Sequence, residues 1–129
     1  MKKQLLRAPA IILTFSIFLL SSFSLDKLPS KGIFTYDKLI HIVEFAIYTF
    51  SVAIALNTCK QKTIHKFLIV IALLIGILYG GLDECHQLYV HGRSASIFDW
   101  LADTLGSVLG VYIFTKLRKF KWFHYDQAQ

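Results

Sequence analysis

Cysteine is nearly absent from this sequence: Cys59 and Cys85 are the two among 129 residues. On the topology derived below they fall near opposite membrane faces. That is too far for a disulfide, whose Cα atoms must lie within about 7 Å, so they read as incidental thiols. Recognised catalytic signatures are missing too. There is no nucleophile elbow and no P-loop. No residues follow an established metal-motif spacing, so the sequence assigns no metal-binding or cofactor-binding residue. Acidic residues are few, 8 against 14 Lys and Arg, for a formal net charge of +6. A basic balance points in general to nucleic acid or acidic lipid. Here the Lys and Arg residues cluster briefly between apolar runs, which makes them topology signals and argues against a nucleic-acid partner.

What the chain has in quantity is apolar surface, since 55% of its residues are hydrophobic. A soluble domain of this length could not hide so much. Four apolar runs predict an all-α fold, an integral membrane bundle of four transmembrane helices over about residues 8–25, 39–57, 67–83 and 99–117. Each is about long enough to cross a hydrocarbon core at 1.5 Å per residue. The whole chain, residues 1–129, makes a single membrane domain. Pro9 falls in the first turn of the first run, where a missing donor costs little. A cleaved signal peptide is the rival reading of that run, given its basic start and Ser21, Ser22 and Ser24; its uncharged length favours a retained span.

Orientation follows from counting Lys and Arg in each connection. The N-terminus, the middle loop and the tail carry ten, while the first and third connections carry four, Lys27, Lys31, Lys38 and Arg93. Both termini are therefore expected in the cytoplasm, with the chain in the cytoplasmic membrane. Trp100 and Trp122 then fall near opposite interfaces.

The ionisable residues inside or at the edge of the apolar runs share one end. Asp37, Lys38, His41, Glu44, Asp83, Glu84, Asp99 and Asp103 all fall at the outer ends of helices two to four. Asp37, His41 and Glu44 lie four and three residues apart, on one helix face. Asp83 and Gln87 share a face if the third helix reaches that far. A charge at the bilayer centre costs roughly 2.5–3.5 kcal/mol on insertion scales, so these groups are expected to face the bundle interior and pair there, with Lys38 and Arg93 as cations. Gly76-x-x-x-Gly80 and Gly106-x-x-x-Gly110 are spaced for close helix packing.

Asp37-Lys38-x-x-His41, Asp83-Glu84-x-x-Gln87, Gly92-Arg93-Ser94 and Asp99-x-x-x-Asp103-x-x-Gly106-x-x-x-Gly110 resemble the VanZ-like family of small membrane proteins, over roughly residues 36–114. Members often carry Pro where this chain has His91, and many carry Asn where it has Asp103. The resemblance implies a multi-pass bacterial membrane protein of the cell envelope. The family takes its name from a protein linked to low-level resistance to teicoplanin, a lipid-tailed glycopeptide, which implies a role at the outer leaflet.

Three functions fit the residues. The first is a pocket that binds or modifies a lipid or lipid-linked envelope precursor. Arg93 would grip a phosphate or carboxylate with its planar fork, Lys38 would add charge, and His41 with Glu44, Asp83 or Glu84 would serve as acid and base. The second is a metal site drawn from His41, Glu44, Asp83, Glu84 and His86. The third is a structural or partner-binding module without chemistry. The bilayer itself is the one partner common to all three, and the oligomeric state stays open.

Overall fold

The computed structural model describes residues 2–23 and 33–119. The first connection with Lys27 and Lys31, and the tail with Lys121 and Trp122, lie outside the described residues. Four helices run in order: α1 Lys2–Ser21, α2 Ile33–Asn57, α3 Lys62–Gln87 and α4 Ile97–Leu117. All four are long and apolar enough to cross a membrane, and no strand occurs among the described residues.

Helices α2, α3 and α4 start ahead of the apolar runs that announce them, while α1 starts early at Lys2 but ends at Ser21, short of the expected residue 25. Hydropathy marks the stretch that must sit in hydrocarbon, whereas the backbone ladder continues into the polar interface wherever nothing breaks it. So α2 starts at Ile33 and α3 reaches Gln87. That last turn of α3 brings Glu84 and Gln87 onto helix rather than loop. Because α1 starts at Lys2, Pro9 sits in its second turn rather than its first. There it removes one backbone bond toward the carbonyl of Leu5.

Each helix runs opposite to its predecessor. Arg7 Nε donates to Thr58 Oγ1 at 2.7 Å and Thr14 meets Tyr48, so α1 and α2 are antiparallel. Lys38 meets Asp99 and Thr49 meets Ser107, so α2 and α4 are parallel. This parallel pair forms the most extensive interface, with α3 laid across its seam and α1 packed on α2 and α3.

Glycine makes that interface possible. A Cβ on Gly106 would strike the carbonyl oxygen of Ile42, and one on Gly110 would strike the carbonyl oxygen of Ala46. These partners are backbone and cannot rotate away, so both positions need a bare Cα for the two helix backbones to touch. The apolar core lies between α1, α2 and α3, around Phe45, Tyr48, Leu68 and Ala72, with Phe114 reaching in from α4. The outer belt is apolar as well: Ile12, Phe15, Leu74, Leu78, Leu105 and Tyr112 are all more than half exposed. A soluble protein does not display such a belt, while lipid tails accept it.

Candidate functional site

The two ends of the bundle differ in chemistry. Arg7, Lys60, Lys62, Lys66, Lys116, Arg118 and Lys119 mark one end. The other end collects the acids and is built from the start of α2, the last turns of α3, the connection 88–96 and the start of α4. That connection turns at Gly92, whose φ of 75° suits only a residue without a side chain.

Helix spacing carries the acidic-end residues inward. From α2, Lys38 Nζ donates to Asp99 Oδ1 at 2.5 Å. One turn further in, His41 Nδ1 is hydrogen-bonded to Asp103 Oδ1 at 2.8 Å, and Asp103 is wholly buried. Asp37 stands at the rim, 3.9 Å from His41 Nε2. Glu44 lies half-buried one turn deeper, within electrostatic reach of His41, Asp83, Asp103 and Arg93. From α3, Gln87 Nε2 donates to Asp83 Oδ2 at 2.8 Å, and both residues are buried. Glu84 is also buried, and its Oε2 accepts the backbone N–H of Ser96 at 2.7 Å. This bond fixes the connection ahead of α4.

Arg93 has a role that sequence spacing does not reveal. Its guanidinium donates to the carbonyl oxygens of Leu20 at 2.9 Å and Phe23 at 3.1 Å. The last carbonyls of a helix have no partner within it, and a cation there also suits the helix dipole. Arg93 thus ties the end of α1 to the acidic end of the bundle. Ser22 and His86 add a second tie at 2.9 Å, and the His86 ring lies 4.6 Å from that of Phe18. His86 therefore faces α1, away from the group that gathers around His41. Among the described residues, α1 is therefore tied to the acidic end by both Arg93 and His86.

Two hollows open at this end. One, of about 340 Å³, is walled by Asp37, His41, Gln87, Gly92, Arg93, Ser94 and Asp99. The other is an apolar groove of about 350 Å³ between α3 and α4, lined by Gly81, Cys85, Leu88, Ala95, Ile97 and Trp100, with Glu84 and Ser96 at its polar edge. Trp100 holds this groove's wall by donating from Nε1 to the carbonyl of Ile77 at 3.0 Å. Of the sequence candidates, Asp37, His41, Gln87, Arg93 and Asp99 wall the polar hollow and Glu84 edges the groove. Asp83 and Asp103 support them from behind, and the exposed Lys38 pairs with Asp99 from the outside. Ser94, Ser96 and Trp100 complete the site. Ser96 stands where serine signals a helix start, but its side chain makes no cap bond, and it serves the site through its backbone N–H to Glu84.

Cys59 lies beside Arg7 at the basic end, while Cys85 lies in the last turns of α3 at the acidic end. Both are free thiols.

The VanZ/LLP1 family model matches residues 4–119, from the start of α1 to just past α4. No curated protein and no solved structure matches the chain. The chain belongs to the VanZ/LLP1 family and is a multi-pass membrane protein.

Proposed function

We propose that this member of the VanZ/LLP1 family binds a lipid-linked head group of the bacterial cell envelope at the outer face of the cytoplasmic membrane. The observation that carries the reading is the pairing of two unlike hollows at one end of the bundle. The polar hollow offers His41, Gln87, Arg93 and Ser94 to a head group, and the groove beside it offers apolar lining to a tail. Glu84 and Ser96 form the groove's edge nearest the polar cluster. A soluble metabolite needs only the first hollow; a lipid uses both. Through its envelope ligand the protein would influence teicoplanin susceptibility.

The outward orientation rests on the Lys and Arg bias of the opposite end. In a chain freed of Cys59 and Cys85, Ser94→Cys is expected to react with a membrane-impermeant maleimide on intact cells. Lys60→Cys is expected to react only after permeabilisation. The reverse pattern would turn the bundle over and remove the outer-leaflet reading.

The ligand itself is tested by purifying the chain in native membrane particles and identifying its lipids by mass spectrometry. Enrichment of one lipid-linked species, lost in Asp37→Asn or Gln87→Ala, is the expected result. Bulk phospholipid in membrane proportions would leave the reading without support.

One observation favours a second reading, a structural or partner-binding module without chemistry. Among the described residues, both outer-end Lys and Arg side chains are engaged by protein groups, Lys38 by Asp99 and Arg93 by α1. In that case cavity variants such as Gln87→Ala change no lipid and no susceptibility, and variants of the buried pairs lower accumulation instead.

A further inference from the structure

The buried side of the acidic end holds a group that includes Asp103, which the lipid reading does not use, with His41 from the hollow's wall and Glu84 from the groove's edge. His41 from α2, Glu84 from α3 and Asp103 from α4 each offer a nitrogen or oxygen atom within 4.8 Å of the others. We propose that these three residues form a binding site for a first-row divalent cation of the zinc class, one ligand from each helix. The site does not depend on which lipid, if any, occupies the hollows.

Two buried oxygens support it independently of the clustering. Glu84 is 6% exposed and Asp103 is 0% exposed. Oε1 of Glu84 and Oδ2 of Asp103 are buried and have no hydrogen-bond partner among the described residues. Their sister oxygens are each engaged once, Oε2 of Glu84 by Ser96 N–H and Oδ1 of Asp103 by His41. An ionised carboxylate oxygen with no partner is costly in a buried place. A neutral acid gains little there either, because its proton would then need an acceptor. A cation satisfies both oxygens at once and removes the repulsion between the two acids.

The chemistry of the set fits that class of ion. One imidazole with two carboxylates is a mixture that zinc and its first-row neighbours accept, whereas magnesium and calcium prefer oxygen alone. To bind the ion through Nδ1, His41 would give up its hydrogen bond to Asp103 Oδ1, and the carboxylate would meet the ion in its place. Three protein ligands leave a coordination position open, as in sites where an ion also holds water or a guest. Asp37, His41 and Asp99 form a second, overlapping group. It is the weaker candidate, because Asp99 already takes Lys38 and Asp37 is half-exposed.

The test uses the full chain, purified in detergent without a histidine tag and stripped with a chelator. Zn²⁺ is titrated by calorimetry, and retained metal is counted by elemental analysis. The expected result is one Zn²⁺ per chain. Glu84→Gln, whose amide oxygen can still accept from Ser96, is expected to weaken binding at least tenfold. His86→Ala and Cys85→Ser are expected to stay within threefold of the parent. No saturable uptake by the parent chain overturns the proposal, whatever the variants do. Uptake that survives Glu84→Gln, or that disappears with His86→Ala or Cys85→Ser, overturns it as well, because the ion would then sit on other ligands. Should Glu84→Gln fail to accumulate, Asp103→Asn takes its place with the same expectation. Loss of metal uptake leaves the lipid-copurification result untouched, so the two readings fail separately.

Discussion

Removing either member of the His41–Asp103 pair breaks the same bond, yet the two costs are expected to differ. Asp103 is 0% exposed, and its Oδ2 already lacks a partner. His41→Ala therefore leaves a buried carboxyl with both oxygens unpaired, at a cost of about 3 kcal/mol, the low end for breaking a buried pair. Asp103→Ala removes the orphan oxygen together with the bond. The imidazole left behind is 9% exposed, borders the polar hollow and stands 3.9 Å from Asp37. Its expected cost is about 1.5 kcal/mol, that of one hydrogen bond. The double variant leaves no orphan carboxyl, so it is expected to cost about as much as Asp103→Ala alone, and the coupling is about 3 kcal/mol. That value exceeds the mean of about 0.6 kcal/mol for hydrogen bonds between membrane helices because it includes the buried unpaired carboxyl. Equilibrium unfolding in mixed micelles, followed by Trp fluorescence with a chelator present, gives all four corners of the cycle. Equal single costs that add within about 0.3–0.5 kcal/mol, as independent sites do, would refute the reasoning.

Glycine substitutions separate packing from helix propensity. Gly110→Ala drives a Cβ into the backbone of Ala46 and Phe50 and is expected to cost about 1–3 kcal/mol in the same unfolding assay. At Gly81 the nearest atom to a new Cβ is Trp100 Nε1 at 3.4 Å, so Gly81→Ala is expected to be neutral or stabilising by about 0.5–1 kcal/mol. Tyr79→Phe removes the hydroxyl that donates to the carbonyl of Thr14, and about 1 kcal/mol of stability should go with it. Arg93→Ala frees the carbonyls of Leu20 and Phe23. Hydrogen exchange should then quicken in the last turn of α1 while the amides of α2 and α4 keep their protection; unchanged exchange there would contradict the tie between Arg93 and α1.

Much of the site is legible in the sequence because an ionisable residue in a membrane run has few places to go. The bilayer forbids Asp103 on the lipid face, so an inward position with a partner follows from hydropathy alone. The spacing of Asp37 and His41 puts them on one face, and the structure keeps them there. Partners across helices are another matter. Arg93 is the natural cation for a neighbouring acid, yet its guanidinium reaches the end of α1, far away in sequence. His86 stands two residues from Glu84 but turns toward Ser22 and Phe18. Neither choice has a local signal, because both depend on where α1 ends in space.

The sequence by itself determined that four helices cross the membrane, and that acids gather at one end of the bundle and bases at the other. Those properties follow from how each residue partitions between water and hydrocarbon, which is local. The tertiary structure decided that α2 and α4 lie in backbone contact through Gly106 and Gly110. It also decided that α3 crosses their seam, and that Glu84 and Asp103 bury two oxygens beside His41. These depend on which helix faces meet, and packing three helices around one seam fixes that only when all three are present.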